Sequence, residues 1–332
     1  MATLKDVAKL ANVDVSTVSR ALNNTSYVHP ETKKKIYKAV EQLSYKPNLL
    51  AKGLRQGKRH SIGVVMPSIN LSIFGEVVQG IEIQARKQGY SIMICNTKDN
   101  PIVEQECLNR LRNGLVDGIL IASTGQNARL LRDIKTSGIS VVQIVRKQDK
   151  LFSSVVSDYY SCAYEAVKFL YQKGCRNIGF VNGALDIIPY QDRYKGYRKA
   201  IRECGCQELV TESRISKENF YKDGYDGVLQ LLEHNPNIDS IMTAVDVQGI
   251  GVIRALKDKN IPVPNKVKVI SLTGHSIGGM LETTMTSMEV PSKEMGEKAA
   301  KMIIDEIESN SPNGPALQHV VLEASLVERE TT

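Results

Sequence analysis

From residue 61 onward, short apolar segments rich in Ile and Val alternate along the chain with longer amphipathic segments. The apolar segments form two series, at 61–67, 90–96, 118–123, 139–145, 177–183, 240–245 and 267–273. Continuous apolar runs of this kind predict strands that are buried on both faces of a sheet. Strands that alternate with helices predict parallel sheets covered by helices. The chain after residue 60 is therefore predicted to have an α/β fold.

The two series of strands predict two Rossmann-like lobes with a cleft between them. We expect the first lobe to cover about 61–160 and the second about 161–290. A helix at 291–309 and a strand at 317–323 are expected to complete the body, so that segments within 291–330 cross back to the first lobe. The helices between the strands are predicted at 74–88, 103–113, 127–137, 161–173, 191–203, 221–234 and 248–259.

Basic residues are concentrated at the start of the chain. The 332 residues include 43 Lys and Arg against 36 Asp and Glu, a formal net charge of +7. Residues 1–60 hold twelve Lys and Arg against four acidic residues, so they carry +8 and the remaining 272 residues carry −1. A basic segment on a nearly neutral body indicates a polyanionic partner for that segment.

Several classes of protein are excluded by what the sequence does not contain. No apolar run approaches the roughly 18 residues of a spanning helix, and the first residues lack the apolar core of a secretory signal. We therefore expect a cytoplasmic protein with no membrane partner. The six cysteines form no C-x-x-C pair and do not cluster with the five histidines. Reduced thiols are expected, with no metal site and no cofactor.

The basic segment has the pattern of three short helices. Thr3 and Asp6 fit a capping box at the start of the first helix, and the turn at 12–14 leads into a second helix at 15–23. A third helix starts near Pro30. Two helices joined by a tight turn and braced by a third predict a helix-turn-helix, an all-α DNA-binding domain at 1–46. The alternative is an unrelated three-helix bundle with a basic, solvated face.

A short linker at 47–60 separates this head from the body at 61–332. Asn48 follows Pro47 and can cap a single helix at 49–55, which contains Gly53. Such a helix is too short to be stable alone. Because basic residues surround it, we interpret it as a hinge helix that folds against DNA.

The run TLKDVAKLANVDVSTVSRALNN, followed by YKPNLLAKGL, resembles the head and hinge of the LacI/GalR family of bacterial transcription repressors. The resemblance implies a periplasmic-binding-protein-like body, phosphate contacts from Thr17 and Ser19, and a minor-groove wedge at Leu54. Two residues depart from the family pattern: Asn12 replaces the usual turn glycine, and Gly53 stands where a better helix former is usual. The DNA-contacting residues that the resemblance implies are Thr3, Val15, Ser16, Thr17, Ser19, Arg20, Asn23, Asn48, Ala51 and Leu54.

Ligands of parallel sheets bind at the carboxyl ends of the strands. The residues that follow strands, or that could pack on a sugar ring, are Ser68, Ile73, Phe74, Ser123, Asp158, Arg193, Phe220, Asp246 and His275. Each charged residue among them has a surface salt bridge as its alternative role. The resemblance implies that Arg193 and Asp246 contact an effector. It also shows two departures: Val245 replaces an Asn, and Thr273-Gly274 replaces the family's usual acidic pair.

Three other functions have some support in the sequence or in the expected fold. Gly274-His275-Ser276-Ile277-Gly278 matches G-x-S-x-G, the nucleophile elbow of α/β-hydrolases, but that elbow needs a long buried helix after it. The sequence there becomes β-branched within about six residues, and only His319 remains as a base. A sugar-transport protein would need an export signal and no basic head. A global catabolite regulator, whose corepressor is a phosphorylated carrier protein, stays open.

The sequence therefore predicts a transcription repressor of carbohydrate-utilisation genes and not an enzyme. Two heads matched to the half-sites of a pseudo-palindromic operator require a homodimer. No heptad repeat follows the last strand, so a dimer is favoured over a tetramer. The expected effector is a sugar or sugar phosphate that binds in the cleft, changes the angle between the lobes and displaces the hinge helices.

Overall fold

The computed structural model describes residues 2–23, 26–45, 58–212, 219–274, 276–309 and 316–332. The chain divides into two compact units, Met1–Arg59 and His60–Thr332. We describe the first as the head and the second as the body. Among the described helices, none is both long and apolar enough to cross a membrane.

The described residues of the head form three helices, α1 (Leu4–Ala11), α2 (Val15–Asn23) and α3 (Pro30–Gln42). Each helix contributes a fully buried side chain to a common core: Val7, Val18 and Ile36. The predicted helix-turn-helix is thus present.

The capping box predicted at the start of α1 is confirmed. The Asp6 N–H donates to Thr3 Oγ1 at 3.3 Å, and the Thr3 N–H donates to the Asp6 carboxylate at 2.8 Å. Asn12 ends the helix in the left-handed conformation, with φ of 52°. Asn tolerates this conformation better than most residues, which explains how it can stand where the family has glycine. The predicted hinge helix at 49–55, with Asn48, Ala51 and Leu54, lies outside the described residues.

The body contains two six-stranded sheets. In the first sheet the order is β11-β5-β4-β3-β1-β2, and all neighbours are parallel. In the second the order is β12-β10-β9-β8-β6-β7, with only β12 antiparallel. The strands are β1 Ser61–Met66, β2 Ser91–Asn96, β3 Gly118–Ile121, β4 Ser140–Ile144, β5 Ser153–Ser157, β6 Ile178–Asn182, β7 Leu209–Glu212, β8 Ser240–Thr243, β9 Lys268–Ser271, β10 Thr286–Glu289, β11 His319–Leu322 and β12 Ser325–Val327.

Helices lie between most of the consecutive strands. They are α4 Ser72–Lys87, α5 Pro101–Arg112, α6 Ala128–Thr136, α7 Tyr159–Gln172, α8 Ile188–Glu203, α9 Phe220–His234, α10 Asp246–Asp258 and α11 Ser292–Glu308. After β10 the chain returns to the first lobe, where α11 packs against α4 and against β3 and β4. The predicted α/β class with two parallel sheets is confirmed, because every one of the seven predicted apolar segments contains a strand.

Two details differ from the expectation. We assigned residues 291–330 to segments that complete the first lobe, but β12 pairs with β10 in the second sheet. The reason is that the chain crosses between the lobes once more after β11, and a strand of three residues leaves no pattern in the sequence. β7, at the edge of the second sheet, was also not predicted, because only Thr211 of its four residues is buried.

The segment after β9 bears on the hydrolase alternative. Ser276–Met280 forms a 3-10 helix of five residues, and the chain then enters β10. A nucleophile elbow requires a strand–turn–helix with a long helix behind the serine. His319, the base that the alternative needs, lies in β11 and bonds the Ser154 hydroxyl at 3.0 Å. This arrangement does not support a hydrolase.

Candidate functional site

A cavity lies between the two sheets, at the carboxyl ends of their strands. Residues that follow six of these strands line it: Ser68 after β1, Asp99 after β2, Arg146 after β4, Gly183 after β6, Val245 after β8 and Thr273 after β9. The space between the lining residues, including the open solvent at its mouth, is about 840 Å³. Both lobes contribute to it, so a ligand here would contact both at once.

Five of the nine residues predicted to bind an effector line this cavity. They are Ser68, Ile73, Phe74, Arg193 and Phe220. Ile73 and Phe74 belong to the first turn of α4, and Phe220 is the first residue of α9. Helices that start after parallel strands point their first turns at the cleft, which is why the positions after predicted strands indicated four of these residues. Phe220 was predicted because its ring could pack on a sugar.

Two predicted residues have structural roles instead. Ser123 is buried; its hydroxyl donates to the Glu104 carboxylate at 3.1 Å and accepts the Gly125 N–H at 3.0 Å. Asp158 caps α7 by accepting the Ser161 N–H at 2.9 Å. Neither lines the cavity, because nearby backbone N–H groups hold both side chains within their own loops.

Asp246 lies beside the cavity and not in its wall. It is buried at the start of α10, where its carboxylate accepts the Ser271 hydroxyl at 2.5 Å. A small pocket that also touches Ile73 and Thr273 separates it from the main space. His275 lies outside the described residues.

Arg193 is the most unusual group in the cavity wall. It is 2% exposed, and its guanidinium carbon lies 4.5 Å from the centre of the Tyr159 ring and 5.8 Å from that of Tyr190. Its Nε has no hydrogen-bond partner among the described residues. Two aromatic faces stabilise a cation, but they do not replace the hydrogen bonds that a buried guanidinium loses with water.

A second buried arginine was not predicted. Arg146 follows β4 and makes a bidentate ion pair with Asp99, at 2.5 and 2.7 Å. Burial opposes the charged form, but the bonds to Asp99 outweigh it and raise the pKa of Arg146. The partners are 47 residues apart, so no local pattern could reveal the pair. The one signal was position, since each residue follows a strand of the first sheet.

The backbone around this pair is strained. Lys98 and Asp99 are both left-handed, with φ of 54° and 52°, and Val145 has φ of 65°. A β-branched residue in this region is a genuine outlier. Such strain is tolerated when the surroundings fix it, and it is found preferentially at ligand sites.

Tyrosines complete the inner wall of the cavity. Tyr159 and Tyr190 are buried, and burial raises the pKa of Tyr159 to about 12 although the neighbouring Arg193 opposes the shift. Both phenols therefore stay protonated at neutral pH. The Tyr159 hydroxyl has no hydrogen-bond partner among the described residues, so it can bond a ligand.

The head presents a second candidate surface on α2. Val15, Ser16 and Arg20 are exposed, and Thr17 and Ser19 are half-buried. Thr3 and Asn23 are also exposed, and the Asn23 amide donates to the Ser19 carbonyl at 2.8 Å. The structure thus brings the predicted residues of α2 to the solvent side, opposite Val18 and Ala21 in the core.

Two family models match the chain. One, described as bacterial regulatory proteins of the lacI family, covers residues 3–48. The other, described as periplasmic binding proteins and sugar binding domain of the LacI family, covers residues 59–322. The two matches correspond to the head and the body.

Individual relatives extend over nearly the whole chain. The HTH-type transcriptional regulator RegA of Clostridium saccharobutylicum is 32% identical over 100% of both chains. Catabolite control protein A of Priestia megaterium is 32% identical over 91% of each. Among solved structures, the transcriptional regulator CelR–cellobiose complex is 25% identical, with a TM-score of 0.75 over 100% of both chains.

The chain combines a helix-turn-helix head with a two-lobed body that has a cavity between its lobes. This combination defines a DNA-binding transcription regulator of the ligand-responsive class. The family matches and the full-length relatives make the assignment more specific. The chain belongs to the LacI family of bacterial regulatory proteins.

Proposed function

We propose that this protein is a cytoplasmic, homodimeric repressor of carbohydrate-utilisation genes, controlled by a small effector that binds in the cavity between the lobes. The observation that carries the proposal is the cavity itself, whose walls come from both lobes and include the buried Arg193. The similar structure of the CelR–cellobiose complex supports a sugar-like ligand.

For the head, we propose direct reading of operator bases by α2. Val15, Ser16 and Arg20 are exposed on one face of this helix, and arginine is the commonest reader of guanine in the major groove. Thr17 and Ser19, with neighbouring N–H groups, would bind phosphates. The further contacts from Asn48, Ala51 and Leu54 remain sequence-based proposals.

A homodimer is supported by an apolar surface on the first lobe. β2 is an edge strand, and its Met93 and Ile94 are 37% and 47% exposed. Ile102, in the first turn of α5, is 65% exposed. An exposed edge with large apolar side chains is unfavourable in a monomer, so we propose that a second copy covers it.

Control by the effector would act through the lobes. A ligand that contacts Phe74 in the first lobe and Phe220 in the second is sensitive to the angle between them. Ligand binding therefore favours one angle by the difference in affinity for the two conformations. We propose that this angle determines whether paired hinge segments can fold on DNA.

The test begins with operator selection from random duplexes by the full chain, followed by fluorescence anisotropy. Arg20→Ala should weaken binding to the selected operator by about 1–3 kcal/mol and make the protein less selective among bases at the contacted position. Arg86→Ala, at an exposed position of α4, is the control and should bind normally. Equal affinity of the full chain for all duplexes would contradict the proposal.

A second candidate, a global catabolite regulator with a protein corepressor, is favoured by the 32% identity to Catabolite control protein A. The same anisotropy assay separates the two. Tighter operator binding on addition of a phosphorylated carrier protein, and no response to sugars, would favour the second candidate.

A further inference from the structure

We infer that the effector is an anionic polyol, a sugar phosphate or a sugar acid, and that its anionic group binds at Arg193 in the inner part of the cavity. This inference rests on the proposed function, because it concerns the ligand of the same cavity. Four observations carry it.

The first observation is the charge of the cavity. Among its described lining residues, Lys98, Arg146 and Arg193 are cationic, and Asp99 is the one carboxylate. Asp99 is already engaged by Arg146 through two hydrogen bonds. The wall therefore offers no second carboxylate to Arg193, whose positive charge in a partly enclosed space of low dielectric attracts an anion.

The second observation is the state of Arg193. No Asp or Glu side chain of the described residues forms an ion pair with it, and its Nε lacks a hydrogen-bond partner. A guanidinium that is 2% exposed has lost most of its water. Burying a charge without a counter-ion is costly, and a bound phosphate or carboxylate would supply bidentate acceptors in the geometry that guanidinium prefers.

The third observation is the start of α8. Ile187 precedes this 16-residue helix and provides no side-chain cap, and Pro189 and Tyr190 of its first turn line the cavity. The N-terminal end of a helix carries a partial positive charge. Here that end faces the same space as Arg193, so the two fields add at one location.

The fourth observation places the other end of the ligand. A neighbouring chamber shares Ser68, Lys98 and Phe220 with the cavity and adds Asn70 and Asn96. Amide side chains both donate and accept, which suits hydroxyl groups. The combined space therefore offers cations inside and amides outside, in the order that a polyol with one anionic end requires.

The experiment compares matched ligands by isothermal titration calorimetry on the full chain. Each set shares one carbon skeleton: glucose, glucose 6-phosphate and gluconate, then the corresponding ribose and galactose sets. We expect at least one anionic member to bind ten times or more as tightly as its neutral parent, with an affinity that falls as salt rises. The phosphate and carboxylate arms identify which anion the site prefers.

Variants connect the preference to Arg193. Arg193→Gln should reduce the affinity for the anionic member at least tenfold and change that for the neutral parent by less than threefold. Arg193→Lys keeps the charge and should retain part of the preference, which guards against a simple folding defect. The matched control is Arg176→Gln, because Arg176 also lies over a tyrosine ring, at 3.9 Å from Tyr171, but outside the cavity. It should leave both affinities unchanged.

Three results would overturn the inference: neutral parents that bind as tightly as the anions, equal losses for both in Arg193→Gln, or no binding by any member of the sets. Operator anisotropy on the same preparations keeps the two proposals separate. A neutral sugar that changes operator affinity would refute the anionic ligand and leave the proposed function intact. Failure to select any operator would refute the proposed function.

Discussion

Arg146 and Asp99 show how one ion pair can hold a strained site together. Their side chains are 6% and 16% exposed, and the pair connects the loop after β2 to that after β4. Removing one partner of a buried pair leaves an uncompensated charge, whereas replacing both is much less harmful.

We predict that Arg146→Met lowers the free energy of unfolding by about 3 kcal/mol, because the Asp99 carboxylate is left buried without its partner. Adding Asp99→Asn should recover part of this loss. Arg254→Met is the control: its pair with Asp258 lies at the surface, with side chains 58% and 36% exposed, and should contribute less than about 1 kcal/mol. Urea denaturation measures the free energy of unfolding of the wild type and the three variants. Equal losses for Arg146→Met and Arg254→Met would show that the buried pair has no special role.

Glu306 gives a pH dependence whose sign can be worked out. This carboxyl lies on α11, accepts the Ser153 hydroxyl at 2.6 Å, and is 9% exposed. Burial raises its pKa above the ordinary 4.5, although the Ser153 bond opposes the shift. The folded protein therefore holds this proton more tightly than the unfolded chain, and its contribution to stability falls as pH rises from 4.5 through the raised pKa.

We expect Glu306→Gln to raise the melting temperature at pH 8, because the amide is neutral and its oxygen can still accept the Ser153 hydroxyl. The advantage over the wild type should shrink as pH falls toward 5. Glu294→Gln, at an exposed position of the same helix, should show no such trend. A constant difference between Glu306→Gln and wild type across this range would contradict the assignment.

Single residues were predictable where position alone decided their direction. Phe74 lies in the first turn of a helix that starts after a predicted strand, so it faces the cleft. Phe220 also lines the cavity, but it was predicted from its aromatic ring, because the strand before it was not predicted. Ser123 and Asp158 occupy equivalent positions, yet short polar side chains bond to nearby N–H groups, and sequence cannot say which will do so. Arg146 was missed because its partner is distant along the chain.

At the scale of elements, two glycines determine how closely α4 and α11 pack. A Cβ added at Gly80 would lie 2.1 Å from the Lys293 carbonyl oxygen, and one at Gly296 would lie 2.1 Å from that of Val77. Backbone thus meets backbone at both positions, and neither contact can be relieved by turning a side chain.

We predict that Gly80→Ala destabilises the body by about 1–3 kcal/mol through overpacking. The matched control is Gly75→Ala on the same helix, where nothing lies within 4 Å of the added atom. That change should stabilise by up to about 1 kcal/mol, because alanine is the better helix former. Chemical denaturation of both variants provides the comparison. If Gly80→Ala left the free energy of unfolding unchanged, the two helices would be able to move apart without cost, contrary to the prediction.

Strands were predictable where an unbroken apolar run marks them, and burial alone did not decide this. β5 and β10 are buried and lie inside their sheets, but Ser and Thr interrupt their segments and neither was among the seven predicted. The strands whose segments were predicted from continuous apolar runs are β1–β4, β6, β8 and β9, and most of them are central. β7 and β12 are short edge strands with little buried surface, and their pairing depends on partners far along the chain. Register and edge position are tertiary properties, so local sequence carries little information about them.

For the whole molecule, the exposed edge of the first sheet defines a prediction about assembly. Ile94→Asp places a charge in the proposed contact between two copies and should convert the dimer to a monomer, with at least tenfold weaker operator binding. Val321→Asp is the control, because Val321 is 59% exposed on β11, the strand at the opposite edge of the same sheet. Analytical ultracentrifugation of both variants distinguishes the monomer from the dimer. A dimeric Ile94→Asp variant would place the contact elsewhere.

The path of the chain between the lobes also sets an order of events during synthesis. β11 completes the first sheet and β12 the second, so neither lobe is finished until residues 319–327 have left the ribosome. The head has a core of its own and is translated first. At roughly 5–20 residues per second, the head precedes the finished body by some tens of seconds. Each nascent chain therefore passes through a period in which its DNA-binding end can fold and its ligand-sensing end cannot.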